Sequence, residues 1–172
     1  IIEVVTERLD IKKKVFDTLE KHARKDVIIS SNTSGIALST MVEGRPEWFR
    51  RNFLVTHFFN PVRYMRLLEL VGGADTDPAV YQAVADFGER VLGKGIVHAK
   101  DTPNFIANRI GTYGIQKVLE HMADQGAGVT LVDKVFGKAM GRPNSAVFRT
   151  ADLVGLDTLV HVLENVYENC TD

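Results

Sequence analysis

Only one cysteine, Cys170, occurs in the 172 residues. A single thiol excludes an intramolecular disulfide and any metal site built from several cysteines. It makes a reducing, cytoplasmic compartment the expectation. An excess of either charge is also missing: 21 Lys and Arg stand against 22 Asp and Glu, a formal net charge of −1. There is therefore no basic surplus for nucleic acid and no acidic tail opposing a compact fold. No apolar run approaches the ~20 residues that a membrane span needs, so no membrane partner is expected. A nucleophilic triad is disfavoured, because no G-x-S-x-G elbow and no Cys–His pair is evident. His22, His98, His121 and His161 show no metal-ligand spacing to one another, and no metal is expected. The first residue is not Met, and no signal-peptide n-region precedes the apolar run Ile1-Ile2-Glu3-Val4-Val5. That run reads as a buried strand, and the expectation is a piece of a longer chain.

What is present suits a globular protein. Apolar residues make up 45% and charged residues 25%, enough for one compact domain or two small ones. Ile11, Val15 and Leu19, with Phe16 beside them, predict a helix whose other face carries Lys12, Lys13, Lys14 and Glu20. Val27 to Ile29 predict a second strand running into the polar turn "SSNTSG", residues 30–35. Residues 53–58 and 65–73 predict a third and a fourth strand, with an antiparallel pair possible between them. Asp77 as N-cap and Pro78 at the first helical position open a helix carrying Val80, Val84, Phe87 and Val91, and Gly93 closes it. "GIVHA" is a fifth strand. This alternation predicts an α/β domain with a largely parallel sheet. Beyond residue 100 no strand is predicted. A long helix from Thr102-Pro103, a second over 131–140 with Thr130 and Asp133 as a capping box, and a third over 156–169 give an all-helical piece. The boundary falls at 101/102.

The run "VTHFFNPVRYMRLLEL", residues 55–70, raises the chemical question. It is apolar, yet holds His57 and Glu69, both costly to bury without a partner. If the two strands are neighbours, the side chains can meet. A carboxylate on one ring nitrogen then fixes the tautomer, and the other nitrogen becomes a general base. Otherwise His57 is a core histidine and Glu69 a surface glutamate. The turn 30–35 offers hydroxyls and an amide beyond a strand end, where ligands of open α/β sheets bind, though these residues also favour plain turns. Asn108 lies near the start of a helix at the domain boundary, either in a ligand cleft or on a helix surface.

Taken in order, "IIEVVTERLDIKKKVF", "SSNTSG", "THFFNPVRYMRLLEL", "KDTPNFIANR" and "DLVGLDT" closely resemble the 3-hydroxyacyl-CoA dehydrogenases, NAD-dependent enzymes of fatty-acid β-oxidation. The resemblance spans nearly the whole chain. It implies the C-terminal part of a Rossmann-like NAD-binding domain over 1–101, followed by an all-helical domain over 102–172, incomplete here, that forms a homodimer contact and part of the substrate cleft. It implies His57 as catalytic base and Glu69 as the group that orients it. Ser34 would contact substrate oxygen and cofactor, Asn108 would position the acyl-CoA substrate, Asn60 would lie on the nicotinamide side, and Glu7 and Lys12 would contact NAD.

The family's G-x-G-x-x-G loop does not occur in these residues. The resemblance places it upstream of Ile1, so the 172-residue piece alone is expected to bind NAD poorly and to be inactive or nearly so. Asn104 stands where many members have Gly, and "GRPNSAVFRTADLVGLDT" is more like the larger fused proteins that also carry an enoyl-CoA hydratase domain. Two alternatives stay open. A non-catalytic relative of the same fold is opposed by the joint presence of His57, Glu69, Ser34 and Asn108. A dehydrogenase of a non-CoA 3-hydroxy acid is opposed by histidine in H-F-F-N-P, where related β-hydroxyacid enzymes typically use lysine.

Overall fold

The computed structural model describes residues 1–169, so Cys170 lies outside the described residues. The chain divides into two units, Ile1–Ile106 and a second beginning at Ala107. The first is built on a five-stranded sheet in the order β1 (Ile2–Glu3), β2 (Ile29–Ser31), β3 (Phe53–Phe58), β4 (Leu67–Gly72) and β5 (Gly95–Ala99). β1, β2 and β3 run parallel, β4 reverses against β3, and β5 runs parallel to β4. Helix α1 (Leu9–His22) links β1 to β2, α2 (Leu38–Val42) and α3 (Glu47–Arg51) link β2 to β3, and α4 (Pro78–Arg90) links β4 to β5.

The period of two along each strand sorts the side chains to two faces. Phe53, Val55 and Val71 pack against Phe16 of α1, Leu38 and Met41 of α2, and Phe49 of α3, with Phe105 completing this core. Phe16 meets Phe49 and Phe53 edge-on at ring-centroid distances of 5.7 and 5.3 Å, the T-shaped geometry that aromatic quadrupoles favour. On the other face Leu68 and Leu70 pack against Ala85, Val84 and Tyr81 of α4. Gly88 lets α4 approach closely: a Cβ there would stand 2.8 Å from Ile96 Cδ1. Asp77 caps α4 by accepting from the Ala79 amide at 2.9 Å, with Pro78 beside it as expected.

Lys12 departs from its expected place. It shares the inward face of α1 with Phe16, four residues on, and both are buried. The inward stripe is Leu9, Lys12, Phe16 and Leu19, not the row of apolar residues alone. The reason is a buried carboxylate, Glu3, on the neighbouring strand.

The second unit is helical: α5 (Ala107–Gln125), α6 (Val129–Val135), a 3-10 turn (Lys138–Met140), α7 (Phe148–Val154) and α8 (Leu156–Asn169). Its core joins Val118, Val132 and Val147 with Ile115, Met122, Phe136 and Phe148. Three expectations need correction here. The long helix starts at Ala107, because residues 102–105 form a turn with Asn104 and Phe105 at φ +58° and +50°. The second helix stops at Val135, and the chain tightens into the 3-10 turn, closed by Gly141 at φ +72°. Thr130 and Asp133 make no capping box, since Gly128 is the N-cap without a side-chain bond.

Asp133 instead caps α7. Its oxygens accept from the amides of Val147, Phe148 and Arg149 at 3.1, 2.8 and 3.1 Å. Burial alone would raise the Asp133 carboxyl, but the three amide donors outweigh it and hold it below 3.8. A depressed carboxylate stabilises the fold above its ordinary value, and that contribution is lost as pH falls through the lowered value. Asp133→Ala should therefore cost about 1 kcal/mol at neutral pH. In denaturant titrations the gap between wild type and variant should shrink once the pH falls below 3.8. A gap that is constant with pH would rule out the cap.

Candidate active site

The carboxyl ends of the parallel strands β1, β2 and β3 share one edge of the sheet, the edge where α/β proteins bind ligands. His57 is the fifth residue of β3, on the face that also carries Phe53 and Val55. The antiparallel register sets it opposite Glu69 of β4. Opposed side chains of such a pair point to the same face, and His57 Nδ1 lies 2.7 Å from Glu69 Oε2. The sequence left open whether the two meet, and the structure brings them together. Both are buried, His57 at 4% and Glu69 at 0% exposure.

A carboxylate only accepts, so Nδ1 carries the proton and donates it to Glu69. In the neutral ring Nε2 then holds the lone pair. The other Glu69 oxygen, Oε1, accepts from the Ile106 amide at 3.1 Å, which ties the carboxylate to the turn after β5. Two rings hold the imidazole in place: Phe59 at 4.5 Å and Phe105 at 5.6 Å between centroids. The left-handed backbone at Asn104 and Phe105 delivers the latter ring, and Phe105 is 1% exposed. Asn and Gly are the residues that enter this conformation most readily, so Asn104 suits its left-handed backbone. Its amide Nδ2 is buried without a hydrogen-bond partner. Within the described residues no cluster of three or more His, Cys, Asp or Glu could hold a metal, and no helix is long and apolar enough to cross a membrane.

Ser34 sits in the loop after β2, half-buried. Glu7 grips this loop: its Oε1 accepts from the Thr33 hydroxyl, from the Ser34 amide at 2.8 Å and from the Gly35 amide at 3.2 Å. Asn32 ties the same loop to β3 by accepting from the Phe58 amide at 2.9 Å. Lys12 Nζ lies 3.3 Å from Glu7 Oε2 and 3.0 Å from both oxygens of Glu3. Glu7, Lys12 and Ser34 thus form one polar cluster, with Glu7 exposed and Lys12 buried beneath it. Asn60 stands apart, exposed just beyond β3, with a cis bond to Pro61. Asn108 belongs to the second unit, where it is the second residue of α5.

Sequence reasoning missed Glu3 at this edge, named Asn32 only as the amide of the turn 30–35, and missed Asp101, which follows β5 at the opposite edge. Glu3 had a signal, a lone carboxylate inside an apolar strand. Asp101 caps α2 by accepting from the Leu38 and Ser39 amides at 2.7 and 3.0 Å.

Comparison with known proteins agrees with the resemblance. Residues 1–102 match the family described as 3-hydroxyacyl-CoA dehydrogenase, NAD binding domain. Residues 105–172 match the C-terminal domain of the same family. A Bacillus subtilis protein named a probable 3-hydroxyacyl-CoA dehydrogenase is 54% identical over 98% of this chain, which covers 21% of that protein. The crystal structure of FadB2 from M. tuberculosis superposes with a TM-score of 0.89 at 30% identity, over 99% of this chain and 59% of that one. The (S)-3-hydroxybutyryl-CoA dehydrogenase from Ralstonia eutropha superposes with a TM-score of 0.86 at 31% identity, with the same two coverages of 99% and 59%. The chain spans less than two thirds of each of these proteins.

The site predicts its own tautomer. Nitrogen-15 NMR of the neutral ring should show His57 as the Nδ1–H form and a mixture of tautomers in Glu69→Gln. A wild-type ring protonated on Nε2 alone would contradict the bond to Glu69.

Proposed function

The chain belongs to the 3-hydroxyacyl-CoA dehydrogenase family, and from that premise we propose that it serves NAD-dependent oxidation of (S)-3-hydroxyacyl-CoA to 3-ketoacyl-CoA in fatty-acid β-oxidation. The observation that carries this reading is the buried 2.7 Å bond between His57 and Glu69 at the ligand-binding edge of the sheet. Bound NAD would accept the hydride from C3 of the substrate. His57 Nε2 takes the 3-hydroxyl proton as that hydride leaves, and the ring becomes imidazolium. Glu69 stabilises the charge at Nδ1 and fixes the ring's direction. In the reverse reaction the imidazolium donates to the 3-keto oxygen and steadies the charge that develops there.

The residues present fit part of the cofactor. Glu7, Ser34 and Asn60 offer a carboxylate, a hydroxyl and an amide at one edge of the sheet, groups suited to the hydroxyls and carboxamide of a nicotinamide nucleotide, whereas Lys12, expected to contact NAD, is 1% exposed and backs Glu7 from beneath instead. No G-x-G-x-x-G occurs among the 172 residues, so none of them is assigned to the pyrophosphate. By itself this polypeptide is proposed to bind NAD weakly and to turn over little. Residues 1–101 serve the cofactor in this reading. Residues 102–172 carry Asn108 for substrate positioning, and also the homodimer contact, for which Ile110, Tyr113, Leu153 and Val160 are exposed apolar candidates. The compartment is cytoplasmic in the same reading.

His57→Gln in the complete protein should lower turnover with acetoacetyl-CoA and NADH by a factor on the order of 10²–10⁴, the range for general acid–base catalysis. NADH affinity should hold. Unchanged turnover would remove His57 from its role. Equal turnover of free acetoacetate would remove the acyl-CoA from the substrate.

A further inference from the structure

Glu3 is a carboxylate with a 1% exposed side chain at the end of a two-residue strand, and water cannot satisfy it. Besides the local Val5 amide, its side-chain partners lead toward the Ser34 loop. Oε1 accepts from the Val5 amide at 2.6 Å and from Lys12 Nζ at 3.0 Å. Oε2 accepts from Lys12 Nζ at 3.0 Å and from the Ser31 hydroxyl at 2.6 Å. Two threads continue from there. The Ser31 hydroxyl oxygen accepts from the Thr33 amide at 3.3 Å. Lys12 Nζ also faces Glu7 Oε2, and Glu7 Oε1 holds the amides of Ser34 and Gly35.

We infer that Glu3 is a positioning residue for cofactor binding: it holds the buried Lys12 ammonium and the Ser31 hydroxyl so that Glu7 and the 33–35 loop keep their binding shape. The inference rests on the proposed NAD-dependent reading. The physics is a competition for one cation. Lys12 is 1% exposed and needs a counter-charge. With Glu3 ionised, that charge lies beneath the ammonium, and Glu7, at 44% exposure, is left to grip the loop and face a ligand. With an uncharged side chain at position 3, Glu7 is the one carboxylate left beside the ammonium, which otherwise keeps only the Val5 carbonyl at 3.3 Å. A Glu7 carboxylate drawn inward releases the Thr33 hydroxyl and the Ser34 and Gly35 amides. Glu3 itself touches no ligand and acts through Lys12 and Ser31.

The test is Glu3→Gln in the complete protein, read first by NADH fluorescence titration, without turnover. The dissociation constant for NADH should rise about tenfold or more, the scale of a lost hydrogen bond to a charged group. The KM for acetoacetyl-CoA should move less than about twofold, a split that general destabilisation does not produce. Amide exchange at Ser34 and Gly35 should quicken. Glu3→Asp, which keeps the charge, should restore most of the affinity. A folded Glu3→Gln protein that binds NADH as tightly as wild type overturns the inference. If Glu3→Gln does not fold, Ser31→Ala cuts one thread alone. It should weaken NADH binding by about threefold, the low end for a single hydrogen bond, and unchanged binding there overturns the inference equally. Wild-type protein that binds NADH but leaves acetoacetyl-CoA unreacted contradicts the proposed reaction, while the binding comparison still decides the role of Glu3.

Discussion

The reversal of chain direction between β3 and β4 is the constraint on which the site depends. An antiparallel register sets His57 directly against Glu69 on one face of the sheet. A one-residue slip would send both to opposite faces and break the pair. The register is pinned from both sides, because Phe53, Val55 and Val71 must enter one core while Leu68 and Leu70 enter the other. The same hydrophobic alternation that folds the sheet therefore aligns His57 with Glu69.

Burial of that pair is not a source of stability. Taking a carboxylate and an imidazole out of water costs several kcal/mol before their attraction is counted, and such pairs roughly break even against apolar replacements. Its return is geometric: the ring has one tautomer and one direction, held by Glu69, Phe59 and Phe105. The aromatic core around Phe16, on the same face, supplies the stability that carries it. The Glu3–Lys12 pair follows the same logic at the neighbouring strand ends, where two more buried charges fix the shape of a loop.

Local patterns in the sequence carry much of this structure. The strands β3, β4 and β5, the Asp77–Pro78 start of α4 and the change to an all-helical second half follow from alternation, caps and periodicity. The buried strand expected over residues 1–5 is only the two residues of β1, where Glu3 turns inward and Ile1, Ile2, Val4 and Val5 are exposed, and β2 extends over Ser30 and Ser31 of the expected turn. His57 and Glu69 stood out as polar residues in an apolar run. Three of the misreadings share one physical cause, a partner distant in sequence. α2 has five residues and an amide cap from Asp101, 63 and 62 positions away, so nothing in its own stretch announces it. α7 is capped by Asp133, whose spacing to Thr130 suggested a local box instead. Lys12 read as a solvated lysine because Glu3 lies nine residues before it on a different element. The left-handed turn at Asn104 and Phe105, which shortens α5 and brings a ring to His57, has no glycine to mark it.

The claim at the centre is that His57 and Glu69 act as one unit. The most direct test is a kinetic cycle on the complete protein, with His57→Gln, Glu69→Gln and the double variant compared by turnover of acetoacetyl-CoA. Residues that act through one another give non-additive losses. The account predicts that Glu69→Gln slows the wild type but adds almost nothing once His57 is replaced. Losses that multiply in the double variant would show two independent contributions and contradict it.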